Sequence, residues 1–491
     1  MKDRIAKSFF WVVWSRGAVQ LFSFLSTIMV ARLLSPSDYG LMALVGIWTS
    51  TIALLAEMGL GATIIQFRDL KSQELNACFW ITMGVAGSGY LLLFIAAPSL
   101  AVWFQSPLLA DTLRVAGLAL PFTVIRIVPD SLLRKRLALD KVSQAEIAAA
   151  FVTIPIVVVM AWAGMGVWAL VAGALANPMV QSLVTFWCLP WWPGIRMGST
   201  RLHEILRFSL ATLGSRVSYA LYQQADSFVL GKVSGDVVLG LYSMAKQLAT
   251  LPVTKISVVL NQLALPVMAE LQDNRGAMGN AFLRIIRLIA CITLPVCIGF
   301  LIIAEDLIKL VLTEKWAGSV PLVQILCFYA VVRSIDVLFP PVLLARYRAN
   351  FMFGYTAALL TILPVAFWTG AEWAGAVGVA IVWAAIYPLV MLWMVQTTLT
   401  ELGLTWATLW GQLWPPLVST IAMVGATTIL QQTVFAWWPI PALGRIMMTT
   451  VIGGGAYVAV LSGVGRQVWG EIREVAGWLI RRPQLVTEVK G

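Results

Sequence analysis

The 491-residue chain is 60% hydrophobic and only 12% charged, with a net charge of +11. Soluble domains average about 45–50% apolar and about 25% charged, so this much apolar surface belongs in a bilayer. A single histidine, His203, excludes a histidine-built metal site or catalytic triad, and the five cysteines lie in or beside apolar runs without metal spacing; they are expected to be buried small hydrophobes.

The N-terminus, MKDRIAKSFFWVVWSRG, is basic and then apolar, like a signal peptide. Arg16 and Gln20 break its apolar run, which resumes to about Leu34, and no small-residue cleavage site follows. It is expected to be a retained first membrane helix. Apolar stretches of about 20 residues can span a bilayer as helices. Candidates fall at 10–33, 40–59, 77–97, 108–129, 144–163, 166–188, 207–230, 238–260, 286–304, 318–343, 351–370, 375–397, 413–432 and 442–464. The fold class is therefore all-α integral membrane, with about fourteen transmembrane helices. The tail RQVWGEIREVAGWLIRR (466–482) places Trp469, Ile472, Val475, Ala476 and Leu479 on one helical face among arginines. That suits an interfacial helix on an anionic leaflet; a short solvated tail is the alternative.

Alternating the spans from a cytoplasmic N-terminus puts 22 Lys and Arg residues on cytoplasmic segments and five outside, namely Arg32, Lys232, Lys309, Lys315 and Arg445. This is the positive-inside pattern. The basic excess is thus a topology signal, and its spread over seven segments excludes a nucleic-acid groove.

The stretch ARLLSPSDYGL (31–41) has an echo two hundred residues later, GKVSGDVVLGL (231–241). Ser15, Arg16, Leu21, Gly40 and Leu41 match Ser215, Arg216, Leu221, Gly240 and Leu241. A second echo pairs LLRKRLA (132–138) with LLARYRA (343–349), so the offset grows to 211. Six spans in each copy make a parallel repeat. The expected organisation is an N-lobe at 1–200, a pseudo-symmetric C-lobe at 201–400, two further spans in 401–465 and a cytoplasmic tail from 466 to 491.

Ionisable groups at membrane depth are costly and usually line cavities or pair. In the first helix Arg16, Gln20, Ser23 and Thr27 form one polar stripe. Arg216, Tyr219, Gln223 and Asp226 form another in the seventh, and Tyr242, Lys246, Thr250, Thr254, Ser257 and Asn261 a third in the eighth. Arg216 and Asp226 are possible structural partners. The pairs Arg126–Asp130 and Arg333–Asp336 have the spacing of local ion pairs. Glu57 is placed at the outer end of helix two. A P-loop is absent, since Gly231-Lys232 is followed by Val233. Gly164-Met165-Gly166 imitates part of a nucleotide fingerprint but joins two membrane helices. No catalytic residue, metal or cofactor is expected, and the chain is read as a non-enzyme.

The segments ARLLSPSDYGLMAL, LAEMGLGATIIQ (55–66) and SLLRKRLALDK (131–141) resemble the polysaccharide transport family. These are the Wzx-type flippases of the multidrug/oligosaccharidyl-lipid/polysaccharide exporter superfamily, and the likeness leans to the exopolysaccharide, colanic-acid-like branch. The resemblance implies a V-shaped, two-lobe exporter of the bacterial inner membrane with both termini cytoplasmic. Its substrate would be an undecaprenyl-pyrophosphate-linked oligosaccharide turned from the cytoplasmic to the periplasmic leaflet for exopolysaccharide, capsule or O-antigen assembly. Membrane lipids, polymerase and chain-length proteins are the further implied partners, and nucleic acid is not.

Arginine binds phosphate oxygens through a fork that stays charged, which suits Arg16 and Arg216 to the diphosphate, with Lys246 in support. Gln20, Ser23, Thr27, Tyr219, Gln223, Tyr242, Thr250, Thr254 and Asn261 suit sugar hydroxyls. Asp226 is the candidate acid for coupling to a proton or sodium gradient. A multidrug exporter of the same superfamily would want an acid-rich cavity, against these cationic stripes; a polysaccharide polymerase is the other alternative. The charge split makes one direct prediction: reporter fusions after residues 140, 200, 280 and 480 should all score as cytoplasmic, and a periplasmic signal at any of them breaks the expected topology.

Overall fold

The computed structural model describes residues 22–67, 70–196 and 202–465. All the regular elements among them are helical. In chain order they are α1 (Phe22–Leu33), α2 (Pro36–Glu57), α3 (Leu60–Gln66), α4 (Ser72–Phe104), α5 (Leu109–Gly117), α6 (Ala119–Ile125) and α7 (Ile127–Lys135). There follow α8 (Leu139–Trp162), α9 (Val167–Cys188), α10 (Leu202–Val233), α11 (Gly235–Glu270) and α12 (Arg275–Leu312). The last are α13 (Val320–Asp336), α14 (Phe339–Ala345), α15 (Ala349–Ile381), α16 (Tyr387–Leu402), α17 (Trp406–Trp437) and α18 (Ala442–Val464).

Ten helical segments among the described residues are long and apolar enough to cross a membrane, where fourteen spans are expected. The difference has identifiable causes. Only Phe22–Leu33 of the first span is described. Residues Ala349–Leu402 form one long helical segment bent at Ala374 and Gly375, where two expected spans meet. The helices α10 and α11 have ample length, 32 and 36 residues, but carry the polar stripes and are markedly less apolar on average.

The chain divides into two compact units, Met1–Ser243 with Thr356–Val379, and Met244–Tyr355 with Ala380–Gly491. Within the first, apolar seams hold the helices. Val30, Leu34, Ala161 and Ala169 join α1, α8 and α9, and Ile64, Leu75, Phe79 and Val128 join α3, α4 and α7. Within the second, Cys291, Met423, Tyr457 and Leu461 join α12, α17 and α18. Four of the five cysteines are buried and all are free thiols.

The repeated motif has a local physical meaning. Ser35 caps α2: its hydroxyl accepts from Asp38 N, while the Asp38 carboxylate accepts from Ser35 N at 2.8 Å, a reciprocal capping box with Pro36 in the first turn. One turn on, Gly40 lies against the start of α11. A methyl group on Gly40 would stand 1.8 Å from the carbonyl oxygen of Asp236, and one on Gly240 would stand 1.7 Å from the carbonyl oxygen of Pro36. The two copies of the motif therefore touch each other reciprocally, backbone to backbone.

Two further pairs recur. Leu137 and Tyr347, with φ of 57° and 58°, end α7 and α14 in the same turn: Ala138 N donates to Leu133 O and Arg348 N to Leu343 O. The backbone match thus runs at one residue less than the offset expected from LLRKRLA and LLARYRA. Gly166 and Gly375 share φ 57° with ψ of −134° and −133°, a conformation suited to glycine.

Gly40→Ala and Gly240→Ala are each expected to cost about 1–3 kcal/mol by overpacking. Lowered thermal unfolding temperatures in detergent would show it. Gly46→Ala, on the same helix with nothing within 4 Å, should not lower it.

Candidate functional site

The first unit holds a charged cavity of about 450 Å³, bounded by α2, α3, α6 and α7, with Ser50, Glu57, Arg126, Asp130, Ser131 and Arg134 on its wall. A second opening of about 330 Å³ is lined by Leu54, Arg216, Tyr219 and Ala220, so Leu54 borders both. Arg216 and Tyr219 share one face of α10, with Gln223 a turn further on. The Gln223 amide donates to the Tyr219 hydroxyl at 3.2 Å. Ser50 of α2 donates to the Gln224 side chain at 3.2 Å, which ties α2 to α10.

Two of the three arginines here hydrogen-bond a carboxylate and the third an amide. Arg216 Nη1 donates to Glu57 Oε1 at 3.0 Å, between side chains 47% and 30% exposed. Arg134 Nε donates to Asp130 Oδ2 at 2.8 Å. Arg126 donates instead to the amide oxygen of Gln181 on α9, and Gln181 donates in turn to Asn177. Among the side chains that line the two openings three arginines thus face two carboxylates, while the charge of Glu146 on α8 bears on Arg126 from outside the lining. Such a wall can hold an anion such as phosphate through charge-assisted hydrogen bonds.

Several expectations change. Asp130 pairs with Arg134, not with Arg126. Arg216 pairs with Glu57, not with Asp226. Asp226 is fully buried. Its carboxylate accepts from Tyr242 OH at 2.6 Å and from Ser227 N at 2.6 Å. Tyr242, expected to meet sugar, is equally buried and supports Asp226 instead. The hydroxyls of Thr27, Thr250 and Thr254 donate to carbonyls of their own helices, at Ser23, Lys246 and Leu251. Arg16 and Gln20 precede the described residues, and the side chain of Asn261 lies outside them. Arg126 is expected from sequence as a local pair with Asp130, Arg134 as a basic residue of a cytoplasmic segment and Glu57 as a lone acid, so none of them stands out there as a lining residue of this cavity.

Lys246 belongs to the second unit, where its ammonium sits 5.2 Å from the ring centre of Trp383. Nearby, Arg333 donates to both Asp336 and Tyr387, and Tyr387 OH donates to Asp336 Oδ2 at 2.8 Å. That expected local pair is present and closed by a tyrosine from another helix. Tyr242→Phe should cost about 1.5–3 kcal/mol, the range for a hydrogen bond to a charged group. Thermal unfolding would measure it, and an unchanged transition would show that Tyr242 does not support Asp226.

Comparison with known proteins places this architecture. The Teichuronic acid biosynthesis protein TuaB of Bacillus subtilis is 24% identical over 338 residues, 68% of this chain and 69% of its own length. The Lipopolysaccharide biosynthesis protein WzxC of Escherichia coli is 23% identical over 357 residues, 72% of each chain. Among solved structures, the lipid II flippase MurJ in an inward closed conformation superposes with a TM-score of 0.72, covering 93% of this chain and 99% of that one. At 11% identity that likeness is one of fold. A family profile described as "Polysaccharide biosynthesis protein" matches residues 29–321, and the chain belongs to that family.

Proposed function

We propose that this multi-pass membrane protein flips an undecaprenyl-pyrophosphate-linked oligosaccharide from the cytoplasmic to the periplasmic leaflet of a bacterial inner membrane, by alternating access. The observation that carries the proposal is the convergence of Arg126, Arg134 and Arg216 on adjoining openings walled by α2, α3, α6, α7 and α10. Arginine stays ionised and presents five donors in a fork that matches phosphate. A diphosphate headgroup must cross about 30 Å of hydrocarbon, and such a wall replaces part of its water.

The family and the relatives support the same substrate class. Two relatives are named for the biosynthesis of teichuronic acid and of lipopolysaccharide, and the structural neighbour is a flippase of lipid II. The positive excess disfavours cationic drugs, the cargo of the alternative exporter reading. Ser50, Tyr219 and Gln223 stand where sugar hydroxyls could be met. Arg16, Gln20, Lys246 and Asn261 complete the proposed set from sequence. Within this proposal the lobes are 1–200 and 201–400, the last two spans lie in 401–465, and residues 466–491 form a cytoplasmic tail. Asp226 is the proposed acid for a proton or sodium gradient, and polymerase proteins are proposed partners.

The test is transport of fluorescent undecaprenyl-diphosphate oligosaccharide in liposomes holding the purified chain. One charge-assisted hydrogen bond contributes about 1.5–3 kcal/mol, or about tenfold to a hundredfold in affinity. Arg126→Ala and Arg216→Ala should each lose binding by that factor, and Arg216→Lys should recover only part of it. Lys309→Ala, which removes an exposed pair with Glu305, should transport normally. Unchanged affinity and transport in the Arg126→Ala/Arg216→Ala double variant would refute the headgroup assignment.

A further inference from the structure

We propose that Glu57 is the resident counter-ion of the cavity. Its carboxylate holds Arg216 while the cavity is empty, and a phosphate of the arriving headgroup takes its place on the guanidinium. This rests on the headgroup assignment above and adds to it the group that sets affinity and release.

The geometry separates this pair from the forked and the closed ion pairs among the described residues; Arg134–Asp130 is also a single contact, but it lies within one helix. Arg445 grips Asp306 through both Nε and Nη2, and Arg348 grips Glu401 through Nε at 2.8 Å and Nη2 at 2.6 Å. Those are forked contacts of the kind that fix helices to each other. Arg333 and Asp336 are only 18% and 5% exposed and are closed over by Tyr387. The pair Arg216–Glu57 has neither feature. One guanidinium nitrogen meets one carboxylate oxygen at 3.0 Å, and both side chains are open to the cavities they line. A guanidinium has five N–H donors, so most of those on Arg216 remain for another acceptor.

Exchange also has somewhere to leave the displaced acid. Glu57 lines the same cavity as Arg126 and Arg134, and Arg126 is held by an amide rather than by a carboxylate. A Glu57 released from Arg216 therefore stays beside Arg126 and Arg134, with Asp130, itself bonded to Arg134, on the same wall. Exposed single-contact pairs are individually weak, so a phosphate that offers more oxygens and more charge can displace the carboxylate. On the far leaflet the same carboxylate competes the phosphate off. Glu57 is in this sense a positioning residue: it acts on the ligand through Arg216.

The experiment is a titration of undecaprenyl diphosphate, with uncharged undecaprenol as control, into the purified full chain in detergent, followed by transport in liposomes. Glu57→Gln should bind undecaprenyl diphosphate about threefold to tenfold tighter yet turn over more slowly at saturating substrate. Glu57→Ala should show the same signs, which guards against a fault of one variant. Glu57→Asp should return both quantities toward the original chain. In an Arg216→Ala background, Glu57→Gln should give no gain. If Arg216→Ala weakens binding while both neutral Glu57 variants leave it unchanged or weaker, counter-ion exchange is overturned and the headgroup site stands. If undecaprenyl diphosphate binds no better than undecaprenol to the original chain, the headgroup site falls and the exchange with it.

Discussion

A guanidinium in hydrocarbon must be neutralised, hydrated or turned to the surface, and this constraint organises the charged residues described here. Arg216 and Arg333, both within expected spans, each reach a carboxylate. Arg126 reaches an amide. Hydroxyls obey the same rule by simpler means: Thr27, Thr250 and Thr254 bond back to their own helices and cost the membrane little. A polar stripe on a spanning helix is therefore not by itself a ligand surface. What separates a site from a tolerated stripe is a charge whose partner is weak, open or uncharged.

The two sequence echoes make that difference visible within one chain. Arg126 and Arg333 precede corresponding basic turns, and α7 and α14 end in matching backbone geometry at Leu137 and Tyr347. Their surroundings diverge. Arg333 is held by a buried acid and a tyrosine hydroxyl, while Arg126 is held by Gln181 beside a cavity. The first is closed by hydrogen-bonded partners and the second opens on a cavity. The two turns thus share their backbone geometry while the arginines before them differ in their partners, and the charged cavity lies in the first unit.

The all-α membrane class was legible because composition and span length follow directly from the bilayer. Charge at Arg216 was legible because an intramembrane arginine stands out. Its partner was not: Glu57 lies 159 residues away, and no periodicity links the two. The local pairing of Asp130 was open to error because arginines stand four residues to either side of it. The structure chooses Arg134, consistent with the better order of acid before base along a helix. Tyr242 was misplaced because helical spacing gives a face but not what covers it. The Gly40 and Gly240 echo was visible as a repetition, yet its cause is a contact between the two copies, which a one-dimensional comparison does not contain.

Under the proposed headgroup assignment, charge balance gives the acids of the cavity a role. Counting only the side chains that line the two openings, Arg126, Arg134 and Arg216 are set against Glu57 and Asp130, and the empty lining carries one surplus positive charge. Each phosphate of a diphosphate diester brings a negative charge, so in the proposed complex the lining would carry one surplus negative charge. The two states are then displaced from neutrality by the same amount, in opposite directions. Without the acid at Glu57 the empty site would hold two uncompensated arginines and the loaded site would be neutral. That arrangement favours capture and opposes release, since a neutral complex in a low-dielectric wall is the harder one to open to water. A transporter has to pass through both states in every cycle. Intermediate charge, set by one open carboxylate on one open arginine, keeps neither of them deep.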